Sequence, residues 1–141
     1  MNLTVRKYTS EDAPALRRIF LDARRFAFSW ADPETFDLTD FDLVTQGETI
    51  LVAAENGSPK GFIAWWPPEN FVHSLFVDPA FIGKGAGKLL LNAGLAEMGR
   101  PATLKCLQAN VNALNFYLAQ HWKVAGQGES ADGNYYLLAI D

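Results

Sequence analysis

The chain has one cysteine among its 141 residues, Cys106, which excludes an internal disulfide. It also has neither a long apolar run nor a signal-type hydrophobic region at its beginning. A membrane role is therefore not expected, and cytoplasmic residence is the default. Basic residues are neither abundant nor clustered: 12 Lys and Arg stand against 16 Asp and Glu, for a net charge of −4. General nucleic-acid binding needs many cationic contacts to phosphate, so that class is set aside, while room is left for a cationic or amine ligand. The acids Asp32, Asp37, Asp40 and Asp42 are too scattered for a metal site and read as a solvated surface. No repeats or linkers interrupt the chain, and its length fits a single domain over residues 1–141. The 49% hydrophobic and 20% charged content is that of a globular protein and argues against disorder.

What is present concentrates in one stretch. An apolar segment ending Leu75-Phe76-Val77-Asp78-Pro79 runs, three residues on, into Gly83-Lys84-Gly85-Ala86-Gly87-Lys88 and then Leu89-Leu90-Leu91. It reads as a strand, a glycine-rich turn and a helix. Glycines permit positive φ and close approach of a ligand to the backbone, so successive N–H groups can point at one phosphate. The helix adds its positive dipole end and unsatisfied amides. With Lys84 and Lys88 supplying mobile charge, a diphosphate site is expected. Spacing narrows the choice. A P-loop needs a hydroxyl residue after its Gly-Lys to hold magnesium, and Leu89 follows Lys88. The dinucleotide fingerprint would need glycine where Lys88 or Leu90 stands.

The stretch resembles the acyl-coenzyme A signature of the GNAT N-acetyltransferase superfamily, Val-x-Pro then Arg/Gln-x-x-Gly-x-Gly/Ala, with Val77, Pro79, Gly85 and Gly87 in register. Ile82 stands where that family has Arg or Gln, which implies weaker coenzyme A binding rather than none, because backbone amides do most of the holding. A second block agrees. After a strand-like Ala102-Thr103-Leu104-Lys105-Cys106-Leu107, the run from Asn110 to Tyr117 resembles the family's Asn-x-x-Ala-x-x-Phe-Tyr. The family then closes the helix with Gly-Phe, and this chain has His121-Trp122. Histidine tolerates left-handed backbone better than most residues, so a helix stop is still expected there, with some strain.

Along the rest of the chain, residues 3–8 alternate like a strand, and Thr9-Ser10-Glu11-Asp12 reads as a helix cap with acids in the first turn. In the helix that follows, Leu16, Ile19, Phe20 and Ala23 share one buried face, while Arg17, Arg18, Arg24 and Arg25 fall on solvated positions. Asp32-Pro33 predicts a second helix start. Residues 49–55 and 60–66 form two strands about a turn at Asn56-Gly57, residues 71–77 a third, and residues 122–126 and 135–140 a closing pair. The order strand-helix-strand-helix over residues 71–120 predicts a parallel crossover. The fold class is mixed α/β. The resemblance implies a GNAT-like acyltransferase fold: a central, mixed, twisted sheet of about seven strands with about four helices, splayed between the fourth and fifth strands.

The same resemblance implies an acetyl-coenzyme A-dependent N-acetyltransferase acting on a primary amine of a small molecule or peptide by direct transfer in a ternary complex. The donor's pantetheine arm would lie along Leu75, Phe76 and Val77, and its diphosphate on the amides of residues 83–88, that is Gly83, Lys84, Gly85, Ala86, Gly87 and Lys88. Asn110 would bond a pantetheine amide, or cap the following helix, or both. A backbone N–H near Leu75 or Phe76 would stabilise the oxyanion, and the Tyr117 hydroxyl would protonate the departing thiolate. Tyr117 could instead only pack its helix on the sheet. For the amine's proton, His73 is placed by alternation on the strand face of Leu75 and Val77, and it serves as base or merely bonds within the sheet; Glu55 and Glu69 are weaker candidates. Trp65 and Trp66 alternate faces, so one is core while the other lines the acceptor pocket with Phe26 or Phe28. Cys106 reads as a buried small residue, not a nucleophile. No metal is expected, a homodimer is allowed, and a non-catalytic acyl-coenzyme A binding module is the alternative function.

Overall fold

The computed structural model describes residues 3–141. Strand β1 (Leu3–Lys7) leads through a 3₁₀ turn at Ser10–Asp12 into helix α1 (Ala13–Ala27). The entry is fixed by Asp12, whose Oδ2 accepts the Thr9 backbone N–H at 2.9 Å while both carboxylate oxygens take bonds from Arg6 at 2.8 Å. Pro14 in the first turn has no N–H to leave unpaired. Leu16, Ile19, Phe20 and Ala23 are all buried, as their spacing predicts. Full burial of a side chain such as Leu16 or Ile19 stabilises the fold by about 1.5–3 kcal/mol.

The Asp32-Pro33 start yields only a single 3₁₀ turn, Pro33–Thr35, and the second helix, α2 (Asp40–Val44), begins five residues further on. Asp32 does cap, accepting the Glu34 N–H at 3.0 Å, but Phe36 is already extended at φ −92° and ψ 136°. The arginines expected in solvent hold this segment instead. Arg24 is buried, stacks 3.8 Å above the Phe20 ring and 4.8 Å from that of Phe36, and bonds Asp40 at 3.0 Å. Arg17 pairs with Asp42 at 2.8 Å, and Arg25 donates to the Pro33 carbonyl at 3.0 Å. Two of the four scattered acids are thus partners of helix arginines, and their carboxylates are not a free surface.

Strands β2 (Thr49–Glu55), β3 (Ser58–Trp66) and β4 (Phe71–Val77) form an antiparallel meander. Its first turn has Asn56 at φ 51° and Gly57 at φ 85°, the pair of left-handed residues that matches strand twist. Helix α3 (Ala86–Met98), β5 (Ala102–Leu107), α4 (Val111–Ala119), β6 (Lys123–Ser130) and β7 (Gly133–Ile140) complete the chain. The sheet order is β1-β2-β3-β4-β5-β7-β6, with β4 and β5 parallel and every other pair antiparallel. Alternation sorts the core into two layers. Val52, Phe62 and Ala64 meet α1 and Phe41 of α2, while Leu51, Ala53, Ile63 and Trp65 meet α3 on the other face.

Candidate active site

Strands β4 and β5 pair at Phe71↔Thr103 and Val72↔Leu104 and nowhere further along. Beyond that point they splay, so the β5-facing edge of residues 73–77 has no strand partner, while β4 stays paired with β3 through Val77. A bulge sits at the start of the splay. The register passes from Trp65↔Val72 to Ala64↔Ser74, and His73 has no partner across the pair. This overturns the face expected for His73. The extra residue breaks the two-residue period, so His73, Ser74 and Phe76 line one cavity while Leu75 and Val77 line another on the opposite face of the sheet.

The cavity on the α3 side encloses about 320 Å³. Its walls are Leu75 and Val77 from β4, Phe81 and Ile82, the turn residues Gly83, Gly85, Ala86, Gly87 and Lys88, and Ala113, Phe116 and Tyr117 from α4. The turn takes its shape from local chemistry. Asp78 accepts the Ala80 N–H at 3.0 Å, Phe81 is buried as an anchor, and Gly83 and Gly85 both take φ near the left-handed value, 86° and 85°. Gly85 is the residue immediately before α3, so the helix's first amides open onto this turn. Lys84 does not line the cavity; its Nζ lies 4.9 Å from the Phe81 ring centre. Ile82 is 54% exposed and brings no polar atom to the turn from its side chain. A hollow of about 890 Å³ shares Lys88 with this cavity and is lined by Asn92, Arg100, His121 and Lys123 among others.

Helix α4 presents Tyr117. Asn110 caps the helix by accepting the Ala113 N–H at 3.4 Å, and it is not part of the cavity wall. At the other end His121 takes φ 74°, and the Trp122 N–H returns to the Tyr117 carbonyl at 3.1 Å, so the histidine performs the stop usually assigned to glycine. The Tyr117 ring is buried edge-on to Phe116 and Trp122. Burial first, and the neighbouring Cys106 second, push its phenol well above the ordinary tyrosine range. The hydroxyl is therefore a neutral O–H donor. Burial likewise raises the Cys106 thiol to about 11, so it is not a thiolate nucleophile.

On the α1 side a larger cavity of about 840 Å³ is walled by five aromatic residues, Phe20, Phe28, Trp30, Phe36 and Phe76. His73 and Ser74 reach it from β4, Arg24 and Asp40 form an ion pair in its wall, and Asp32 and Asp132 add negative charge. Of the four aromatics considered for the acceptor pocket, with one tryptophan expected in the core, only Phe28 lines this cavity. Phe26 is 65% exposed and outside both cavities. Trp65 is buried in the α3-side core, and Trp66 packs over Gly47, where a Cβ would come within 3.1 Å of its ring. Glu55 pairs with Leu3 and Ser58 at a strand end, Glu69 lies in a 3₁₀ turn, and neither lines a cavity. Sequence reasoning missed Trp30 and Phe36, although Phe28-Ser29-Trp30 is an aromatic cluster in plain view. It also missed Glu48, whose carboxylate bonds the His73 ring nitrogen Nδ1. Among the described residues no group of three His, Cys, Asp or Glu side chains could hold a metal ion.

The family model described as the acetyltransferase (GNAT) family matches residues 13–122. No curated protein sequence matches the chain. Solved structures are similar in fold. The PaiA N-acetyltransferase of Thermoplasma acidophilum, in complex with coenzyme A, superimposes with a TM-score of 0.83 at 17% identity, over 100% of this chain and 99% of its own. The apo form of YjaB from Escherichia coli gives 0.81 at 24% identity over 99% and 97% of the two chains. The ribosomal-protein-S18-alanine N-acetyltransferase of Escherichia coli gives 0.79 at 18% identity over 99% and 93%. The matched segment contains the splayed strand, the glycine turn and the tyrosine-bearing helix, and the chain belongs to the GNAT acetyltransferase family.

Proposed function

We propose that the protein is an acetyl-coenzyme A-dependent N-acetyltransferase that passes the acetyl group directly to a primary amine of a small molecule or peptide. The observation that carries this reading is the free edge of β4, which stands between an apolar cavity lined by Tyr117 and an aromatic, acid-rimmed cavity lined by His73. The residues suit the donor. An extended pantetheine arm can bond the unpaired edge of residues 73–77 as a strand would. The diphosphate fits the left-handed glycines and the first amides of α3, with Lys84 and Lys88 as flanking charge. Asn110, beyond its capping bond, offers an amide to the arm.

A bound thioester supplies the electrophilic carbonyl, and the chain does the rest. Ring nitrogen of His73 takes the amine's proton, directly or through water, so that the nitrogen lone pair can attack. A backbone N–H near Leu75 or Phe76 stabilises the developing oxyanion. Tyr117 gives its proton to the departing sulfur as the C–S bond breaks. Cys106 is too buried and too weakly acidic for a covalent intermediate, which favours direct transfer. The acids at the acceptor cavity favour a cationic amine there.

A non-catalytic acyl-coenzyme A binding module is the second reading, favoured by Ile82 in place of a polar residue at the turn. A panel of amines and peptides assayed for thiol release from acetyl-coenzyme A separates the two. Release with an amine present supports transfer. Tight binding of the donor without release by any member would replace it with the binding module.

A further inference from the structure

Glu48 follows α2 in the turn before β2, where its own N–H donates to the Thr45 carbonyl at 3.0 Å. Its side chain is 2% exposed. One carboxylate oxygen bonds His73 Nδ1, and the other, Oε1, is buried with no hydrogen-bond partner. Among the described residues no Lys or Arg lies within ion-pair distance of it. A carboxylate removed from water costs several kcal/mol unless a partner offsets the loss, and among the described residues the His73 ring is the only side chain that bonds it. The β3–β4 bulge is what brings them together, because it turns His73 out of the alternating pattern.

We propose that Glu48 is a positioning residue for His73, selecting the ring tautomer with the proton on Nδ1 and leaving the Nε2 lone pair for the acceptor cavity. This rests on the reading of His73 as the base. An ionised carboxylate only accepts hydrogen bonds, so the Nδ1 it faces must carry hydrogen. In a neutral ring Nε2 then has the free pair. When an ammonium substrate gives up its proton, its N–H bond breaks, an Nε2–H bond forms, and the freed pair on nitrogen attacks the thioester carbonyl. Glu48 keeps its bond throughout and faces the imidazolium with a full negative charge. The ring is also steadied by Phe71, edge-on at 4.6 Å, and half of its side chain is exposed toward the cavity. Other ionisable groups around that cavity are Arg24, tied to Asp40, and the acids Asp32 and Asp132. A purely structural bond between the two side chains would hold the same tautomer, and turnover in the Glu48 variant separates it from a positioning role.

The test is the tautomer itself, read by long-range proton–nitrogen correlation on the uniformly ¹⁵N-labelled full chain at a pH where the ring is neutral. Only two histidines are present, so a His121→Asn variant assigns the signals. The expected result is Nδ1–H for His73, the form less favoured in the free histidine side chain. Glu48→Gln, whose amide can donate to Nδ1, should move the ring toward Nε2–H and lower turnover by roughly 10²-fold or more with acetyl-coenzyme A affinity unchanged. An Nε2–H ring in the wild type overturns the proposal without recourse to any variant. Full turnover in His73→Gln overturns the base reading beneath it. Lost turnover in His73→Gln together with full turnover in Glu48→Gln overturns the role of Glu48 alone.

Discussion

Tyr117, the acid proposed for the departing thiolate, has its ring edge-on to Phe116 and Trp122, its phenol raised by burial, and a place in the wall of an apolar cavity. Tyr117→Phe removes only the oxygen. Turnover should fall by roughly 10²-fold or more while acetyl-coenzyme A affinity and melting temperature change little. A large loss of melting temperature in that variant would make the tyrosine structural. Its place on the cavity wall was legible in the sequence because its setting, Asn110 to Tyr117, is local. Glu48 was not legible. Its partner is 25 positions away, and a bulge that no periodicity announces creates the contact. Arg24 was misread for a related reason: charge placed it in water, while its stacking on Phe20 and its bond to Asp40 bury it.

At the level of elements, the glycine turn and the start of α1 are the two most exposed to substitution. Gly85 precedes α3 at φ 85°, and a Cβ there would meet nothing within 4 Å. Gly85→Val therefore costs backbone strain of about 1–2 kcal/mol and no packing, but it sets a branched side chain where the amides must approach an anion. Titration calorimetry should show acetyl-coenzyme A binding weakened by roughly tenfold or more. Unchanged affinity would place the phosphates elsewhere. At α1, hydrogen bonds from Arg6, opposed by burial and aided by the Thr9 N–H, hold the Asp12 carboxyl below the usual carboxylate range. A lowered folded value means that its stabilisation is complete above the unfolded value, about 3.9, and is lost as pH falls through the folded one. Melting curves of wild type and Asp12→Asn should thus converge below about pH 4. A gap that persists in acid would assign the stability to something other than the ion pair. The strands and the crossover were readable from the alternation of their apolar residues. The segment from Asp32 to Val44 was not, because its one clear signal, Asp-Pro, starts a turn as readily as a helix.

As a whole molecule the sheet consists of two blocks, β1 to β4 and β5-β7-β6, joined by two residue pairs at one end. A ligand that bonds both sides of the opening stabilises the folded state by mass action. Acetyl-coenzyme A at a hundredfold its dissociation constant should add about 2.7 kcal/mol, a rise in melting temperature on the order of 5–10 °C for a chain of this size. ATP and nicotinamide dinucleotides should give little, since neither has an arm to lie along β4. No melting shift with acetyl-coenzyme A would sink the donor assignment.

The same opening is also an unprotected sheet edge, the feature that makes folded proteins stick to one another through added strands. Here its geometry limits who can use it. The edge of residues 73–77 is recessed in the angle between β4 and β5, with Phe116 and Tyr117 of α4 walling the cavity beside it. A neighbouring protein arrives with a whole sheet and its side chains, too broad to reach the bottom of such an angle. A single slender chain can enter. The splay thus limits strand addition by a neighbouring sheet while leaving room for the slender arm of the proposed donor.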